Sequence, residues 1–297
     1  MSDAYSEQGT DGSGASILAN DALVKRIGEV VAGLFTLAIL TFLGWILSTQ
    51  VNYRLLQSVF PRFVEAFRLV VFIVVVASIL SVTLGTLMGL ARISSSPLTS
   101  RIAKGYVEFF RGTPLLFQLF VIFFGIPRLW PPGQFPIGDW RVPAAVIGLT
   151  LNHIAYVAEA TRGGVGAVGE GQMEAARSLG MSKVQAMRRV VLPQAWRNAL
   201  PAIGNDQIIL VKDTSLLTVI AIPEIMSVFR NINSNQLDPW TPLVWVCLFY
   251  LLVTMSMSLA VSLLERHADW SSEEGEETAS RWQRLLGSIG KGLGRRQ

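Results

Sequence analysis

The chain has a single cysteine and few charges: of 297 residues only 15% are Asp, Glu, Lys or Arg, against 51% hydrophobic side chains, with a mean hydropathy of +0.45. Cys247, standing alone in an apolar block, excludes an intramolecular disulfide and any cysteine-based metal cluster. No Gly-x-x-x-x-Gly-Lys-Ser/Thr occurs, which excludes nucleotide hydrolysis by this chain through a P-loop. So little polar surface cannot cover a soluble globule, and the chain reads as an integral membrane protein. The formal charge of +4 does not point to nucleic acid, because membrane topology itself sorts Lys and Arg into cytoplasmic loops. The Ser/Gly/Asp-rich N-terminus lacks a basic region leading directly into an apolar core; it does not read as a cleaved signal, and residues 1–28 are expected to form a disordered cytoplasmic tail.

What is present is a series of apolar blocks of bilayer length. Residues 30–48 are the first, an additional N-terminal span over 29–49, and Lys25 and Arg26 before it place its start inside. A mixed segment, 50–62, contains Pro61 and leads into the second span, 63–91, whose Gly85-x-x-x-Gly89 reads as helix packing. The third, 107–125, is interrupted by Arg111-Gly112-Thr113-Pro114, with Thr113 placed to cap a helix restarting at Pro114. In the loop 127–141, Trp130 and Trp140 suit the water–lipid interface, where the indole N–H stays wet. The fourth span, 142–161, contains Asn152, His153 and Glu159; the fifth, 199–222, holds Asn205, Asp206, Gln207, Lys212 and Asp213; the sixth is 242–264. With the N-terminus inside, the outer segments hold only Arg54, Arg62, Arg128, Arg141 and Arg230, and the other loop Lys and Arg are all inside. The expected fold class is all-α integral membrane, six transmembrane helices with both termini cytoplasmic. In the tail, 267–297, Trp282, Leu285, Leu286 and Ile289 with Arg281 and Arg284 outline a basic amphipathic helix on the inner leaflet; a frayed tail is the alternative.

The insert 162–198 falls on the cytoplasmic side. Residues 171–179 favour helix, Gly180 supplies the left-handed residue that ends it, and Ser182-x-x-Gln185 is a capping box for a second helix that stops near Pro193. Helix, turn and a helix bearing Lys183, Arg188 and Arg189 also outline a DNA-reading motif, but that domain needs a third helix, and here both ends run into membrane spans. Gly164-x-Gly166-x-x-Gly169 matches the dinucleotide fingerprint literally, yet it follows a membrane helix and has no βαβ unit around it. A short helix with Ala175 and Ala176 at its centre can seat in a groove of a soluble partner; an inert loop is the alternative.

Glu174-Ala175-Ala176, three residues, Gly180, nine residues, Val190, one residue, then Leu192-Pro193 resembles the EAA loop of membrane subunits of binding-protein-dependent ABC importers, with Val190 where the family usually has Ile. Phe110-Arg111-Gly112-Thr113-Pro114-Leu115-Leu116-Phe117-Gln118 resembles the polar amino-acid branch (His, Glu, Gln, Arg, opine) of that family. So do Ala155-Tyr156-Val157-Ala158-Glu159 with Arg162-Gly163-Gly164, and Lys212-Asp213-Thr214-Ser215-Leu216. The resemblance covers about 60–266 and leaves out the first span and both tails. It implies that 60–266 is the transmembrane domain of a permease subunit importing a polar amino acid across the bacterial inner membrane, paired with a second permease subunit, identical or different. It implies that Glu174, Ala175, Ala176, Gly180, Leu192 and Pro193 couple to two cytoplasmic ATP-binding subunits, which spend the ATP, so that this chain binds no cofactor and is no enzyme. An external or periplasmic solute-binding protein would deliver substrate to the outer loops 127–141 and 223–239. The alternatives are an ion-coupled secondary amino-acid carrier and a membrane-anchored interaction or regulatory protein.

An ionisable group at bilayer depth costs at least about 2.5 kcal/mol unless paired or wet. Asp206 and Asp213 share one helical face, with Lys212 on another. Asp206, Gln207, Lys212, Asp213 and Thr214, with Arg111 and Thr113 at the helix break, are the expected pathway or gate residues; helix-to-helix bonding without substrate contact is the alternative. Glu159 and Arg162 are expected to form a structural ion pair. Asn152 and His153 are expected in interhelical hydrogen bonds and no metal site is expected, since His153 has no second ligand at suitable spacing.

Overall fold

The computed structural model describes the backbone of residues 11–293 and the side chains of residues 23–266, and among these its regular structure is all helix. Two compact units emerge, 1–57 and 58–297. The first is built on α1 (Asp11–Thr49), long and apolar enough over Leu23–Thr49 to cross a membrane. Helix begins at Asp11, so most of the tail expected to be disordered is helical; residues 1–10 lie outside the described residues. Ala22, Leu23, Lys25 and Arg26 favour helix beside the apolar span, and the helix reaches the Gly and Ser residues of 12–16 by extension from it. Asn52 Oδ1 then accepts from the N–H of Arg54 (3.1 Å) and Leu55 (3.2 Å), starting α2 (Tyr53–Arg92). Helix α2 passes through Pro61, so the mixed segment 50–62 is largely its first turns.

In the second unit α3 (Pro97–Gly112) begins at the Ser96 cap with Pro97 in its first turn. It is succeeded by α4 (Leu115–Phe120), a π-helical turn (Val121–Gly125) and a 3₁₀ turn (Ile126–Leu129), and the chain bends by 101° at 113–114, between α3 and the 115–129 segment. Helices α5 (Arg141–Gly166), α6 (Glu170–Ser178), α7 (Lys183–Ala186) and α8 (Leu192–Asp213) come next. A 3₁₀ stretch (Thr214–Ile220), α9 (Ile225–Gln236) and α10 (Trp240–Leu293) complete the unit. Among the described residues four helices, α1, α2, α5 and α10 (over Trp240–Arg266), are long and apolar enough to span a membrane singly, and the bent α3–α4 segment makes five if it is one span. Helix α8 is too rich in polar groups to qualify on composition. The side chains of the basic tail expected over 267–297 lie outside the described residues.

Helix α5 is the centre of this unit, packed chiefly against α8 and also against α3 and α4. Small residues allow the close approach. A Cβ on Gly85 would lie 2.6 Å from Val157 Cβ, and one on Gly89 equally close to Thr161 Cβ, so the Gly85-x-x-x-Gly89 face of α2 beds directly on α5. Against α10, α2 uses aromatics about two turns apart: Phe60 meets Trp245 at 4.7 Å between ring centroids and Phe67 meets Phe249 at 5.0 Å.

Candidate functional site

The insert between α5 and α8 is locked by local hydrogen bonds. At the end of α6, Met181 N–H donates to Ala176 O (3.2 Å) and Gly180 N–H to Arg177 O (3.0 Å), the double closure of a Schellman turn, with Gly180 at φ +83°. Two residues on, Ser182 Oγ accepts from Gln185 N–H (3.3 Å) while Gln185 Oε1 accepts from Ser182 N–H (2.9 Å), completing the capping box of α7. Helix α6 therefore has a fixed end. Ala176 faces inward; Glu174, Ala175 and Gly180 are not covered in the same way, and Leu179 is 81% exposed with nothing of the described chain over it.

The second helix of the insert does not stop near Pro193. After α7 the backbone widens into a π turn (Met187–Val191), and α8 restarts at Leu192 with Pro193 in its first turn, where a missing N–H costs little. Gln194 Nε2 donates to Val190 O (3.0 Å) at this junction. The insert thus runs into α8 without a break. Gly164 of the dinucleotide-like triplet is a packing residue: a Cβ there would collide with Ala195 O, where α5 crosses α8.

Deeper in the α5–α8 contact, His153 stands between the two aspartates that share a face of α8. Its Nδ1 is 2.9 Å from Asp206 Oδ1; its Nε2 is 3.4 Å from Asp213 Oδ2 but not aligned for a hydrogen bond. Gln207 Nε2 donates to Asp206 Oδ2 (3.1 Å), leaving its buried Oε1 without a partner. Thr214 Oγ1 turns back to Val211 O (2.6 Å). Lys212 is exposed and does not join this group. Among the described residues no His, Cys, Asp and Glu side chains are grouped to hold a metal ion.

A second cluster gathers on Glu159. Arg162 donates to it through Nε (3.1 Å), Arg92 at the end of α2 donates to its other oxygen, and Arg111 at the end of α3 lies 3.7 Å from that same oxygen. The Arg111 guanidinium also sits 5.5 Å over the Tyr156 ring. Three helices thus share one carboxylate. The adjacent break is held by Gln118, whose Nε2 donates to Phe110 O (2.9 Å), Thr113 O (3.1 Å) and Thr113 Oγ1 (2.8 Å) and whose Oε1 accepts from Asn152 (3.0 Å). Thr113 does not cap α4: its hydroxyl donates back to Phe109 O (2.9 Å), and Pro114 takes the cap position. The extended backbone at Thr113 ends α3 instead, which turns its hydroxyl toward the preceding turn.

In the 127–141 loop, Arg141 hydrogen-bonds Asp139 and holds its carboxyl down at about 2. Trp140 Nε1 is not left to water; it donates to Ile122 O (3.2 Å), and Phe135 stacks edge-on between Trp130 and Trp140. Glu224, which the sequence did not single out, is fully buried. It caps α9 by accepting from the N–H of Met226 and Ser227 (2.7 Å each), and Tyr250 OH donates to it at 3.4 Å. Burial pushes its carboxyl up to about 7 against these bonds. A carboxylate followed by Ile-Met-Ser after a proline was the available signal, since Glu can serve as a cap although Ser, Thr, Asp and Asn are commoner there.

Residues 81–270 match the family described as the binding-protein-dependent transport system inner membrane component. The probable amino-acid permease protein YxeN of Bacillus subtilis is 36% identical over 216 residues, 73% of this chain and 95% of that protein. The glutamine transport system permease protein GlnP of Escherichia coli is 33% identical over 223 residues, 73% of this chain and 97% of that protein. A crystallised amino acid ABC transporter with histidines superposes with a TM-score of 0.66 at 34% identity, covering 73% of this chain and 99% of that one.

Proposed function

The chain belongs to the family of binding-protein-dependent transport system inner membrane components and is the translocation subunit of an ABC amino-acid importer, with ATP hydrolysed by partner subunits; from that premise we propose how it couples and what it carries. Helix α6, closed by the turn at Gly180, is the element that seats on each cytoplasmic ATPase, through Glu174, Ala175, Ala176 and Gly180, with Leu192 and Pro193 fixing the far end of the insert. The observation that carries this is the Schellman turn leading directly into the capping box: a polar helix locked at its end, with an uncovered outer face, transmits a push instead of absorbing it. The insert is cytoplasmic, both termini are cytoplasmic, and six spans cross the membrane, counting α8 with its 3₁₀ extension and the bent α3–α4 segment. The positive-inside distribution of Lys and Arg supports that topology.

The cargo is a polar amino acid handed over by an external solute-binding protein, and the pathway forms between two permease subunits. Glutamine for one relative and histidines in the related crystal structure support a polar substrate. Lys212 on an exposed face of α8, and Asp213 beside it, line the pathway; Asp206, Gln207 and His153 set the position of Asp213 from behind. Arg111 and Thr113 control the bend beside it. The docking reading is tested with Gly180→Asp and Glu174→Arg in proteoliposomes. Both variants insert normally, lose ATP-driven uptake and fail to co-purify the ATPase; unimpaired uptake and co-purification in both overturn it.

A further inference from the structure

A pocket of about 420 Å³ lies where the end of α2 meets the second helix of the insert. Its apolar lining includes Leu90 and Ile93 from α2 and the loop after it, and Val184 and Met187 from the insert. Among the described residues Lys183 and Arg188 are its only charged lining residues, and no acidic side chain lines it. Lys183 Nζ donates one hydrogen bond, to Ser95 Oγ (3.0 Å), which clips the insert to the α2–α3 loop and leaves two ammonium protons free. Arg188 is exposed and unpaired among the described residues. The size is that of a ligand site.

The chemistry needed to fill it is an apolar body joined to an anion. The position narrows this further, because Leu90 belongs to the last turn of α2, whose apolar span ends by residue 91, so the pocket sits at the inner end of that span and the two cations stand where it leaves the bilayer. A soluble protein at this insert, the ATPase included, would need an acidic apolar segment to match this lining, whereas an anionic lipid at the membrane boundary carries both parts. From these residues we infer that the pocket holds an anionic phospholipid, an acyl chain against Leu90, Ile93, Val184 and Met187 and the phosphate between Lys183 and Arg188. Lipid so placed would bridge α2 to the insert. The inference needs only membrane placement, and it can fail without touching the docking or transport readings.

The test is retention of phosphatidylglycerol against phosphatidylcholine by the purified full-length chain, read by native mass spectrometry without ATP or substrate. Phosphatidylglycerol should be preferred, and Lys183→Gln with Arg188→Gln should weaken its retention about thirty-fold, since each basic group at an anionic surface contributes several-fold. Lys183→Arg with Arg188→Lys should keep it. So should Arg101→Gln with Lys104→Gln on α3, which removes the same charge elsewhere. Equal retention of the two lipids, or parallel losses in both neutralised variants, overturns the inference. Displacement by excess inorganic phosphate would show a simple anion site, and displacement by added ATPase subunit would make that protein the occupant; either result also overturns it.

Discussion

Glu159 neutralises arginines from three helices, so the cost of removing it is set by the cations left behind. Its side chain is 26% exposed and that of Arg92 13%, whereas Arg162 is 45% exposed. Glu159→Gln is therefore expected to cost about 1–3 kcal/mol and Arg162→Gln less than about 1 kcal/mol, compared by thermal unfolding of the purified chain. Equal effects would mean that Arg92 and Arg111 do not depend on this carboxylate. Half of the cluster was legible in the sequence, because Arg162 lies one helical turn from Glu159. Arg92 is 67 residues away and comes in only through packing. Glu224 yields a pH prediction. Its folded pKa is raised from 4.5 to about 7, so the stability it contributes is fully present below 4.5 and is lost as pH rises through 7. The loss is at most about 3 kcal/mol, and Glu224→Gln should flatten that slope in unfolding curves taken across this range. Unchanged slopes would show that burial does not hold the proton there.

At the scale of elements, two glycines test two different physical demands. Gly180 has open space around it and needs only a left-handed backbone, so Gly180→Ala should loosen the end of α6 by about 1 kcal/mol and lower ATP-driven uptake without lowering membrane insertion. Gly85 has an ordinary backbone but no room, so Gly85→Ala should push α2 off Val157 and cost about 1–3 kcal/mol in thermal unfolding. If Gly85→Ala is as stable as the parent, α2 and α5 are not in direct contact. The Gly180 turn and the capping box were readable because each is closed by hydrogen bonds between residues only a few positions apart. The fate of the second insert helix was not, because Pro193 can either end a helix or open one. The π turn before it, which lets α7 pass into α8, has no distinct signature in residue type.

At the scale of the whole molecule, the matched region 81–270 lies entirely in the second compact unit. A chain lacking 1–49 is accordingly expected to co-purify with the ATPase and to support uptake in proteoliposomes; loss of both would place α1 within the transport machinery. The sequence by itself determined the class of protein, the family, the apolar spans of α1, α2, α5 and α10 and the locked turn of the insert, because these rest on composition, hydrophobic length and local bonding. Only the tertiary structure decided that His153 stands between Asp206 and Asp213, that Glu159 joins α2, α3 and α5, and that Glu224 is buried at the start of α9. Each of these depends on which helix faces lie against each other. That choice is made by small residues such as Gly85, Gly89 and Gly164 permitting close approach, and the residues thereby brought together lie dozens of positions apart.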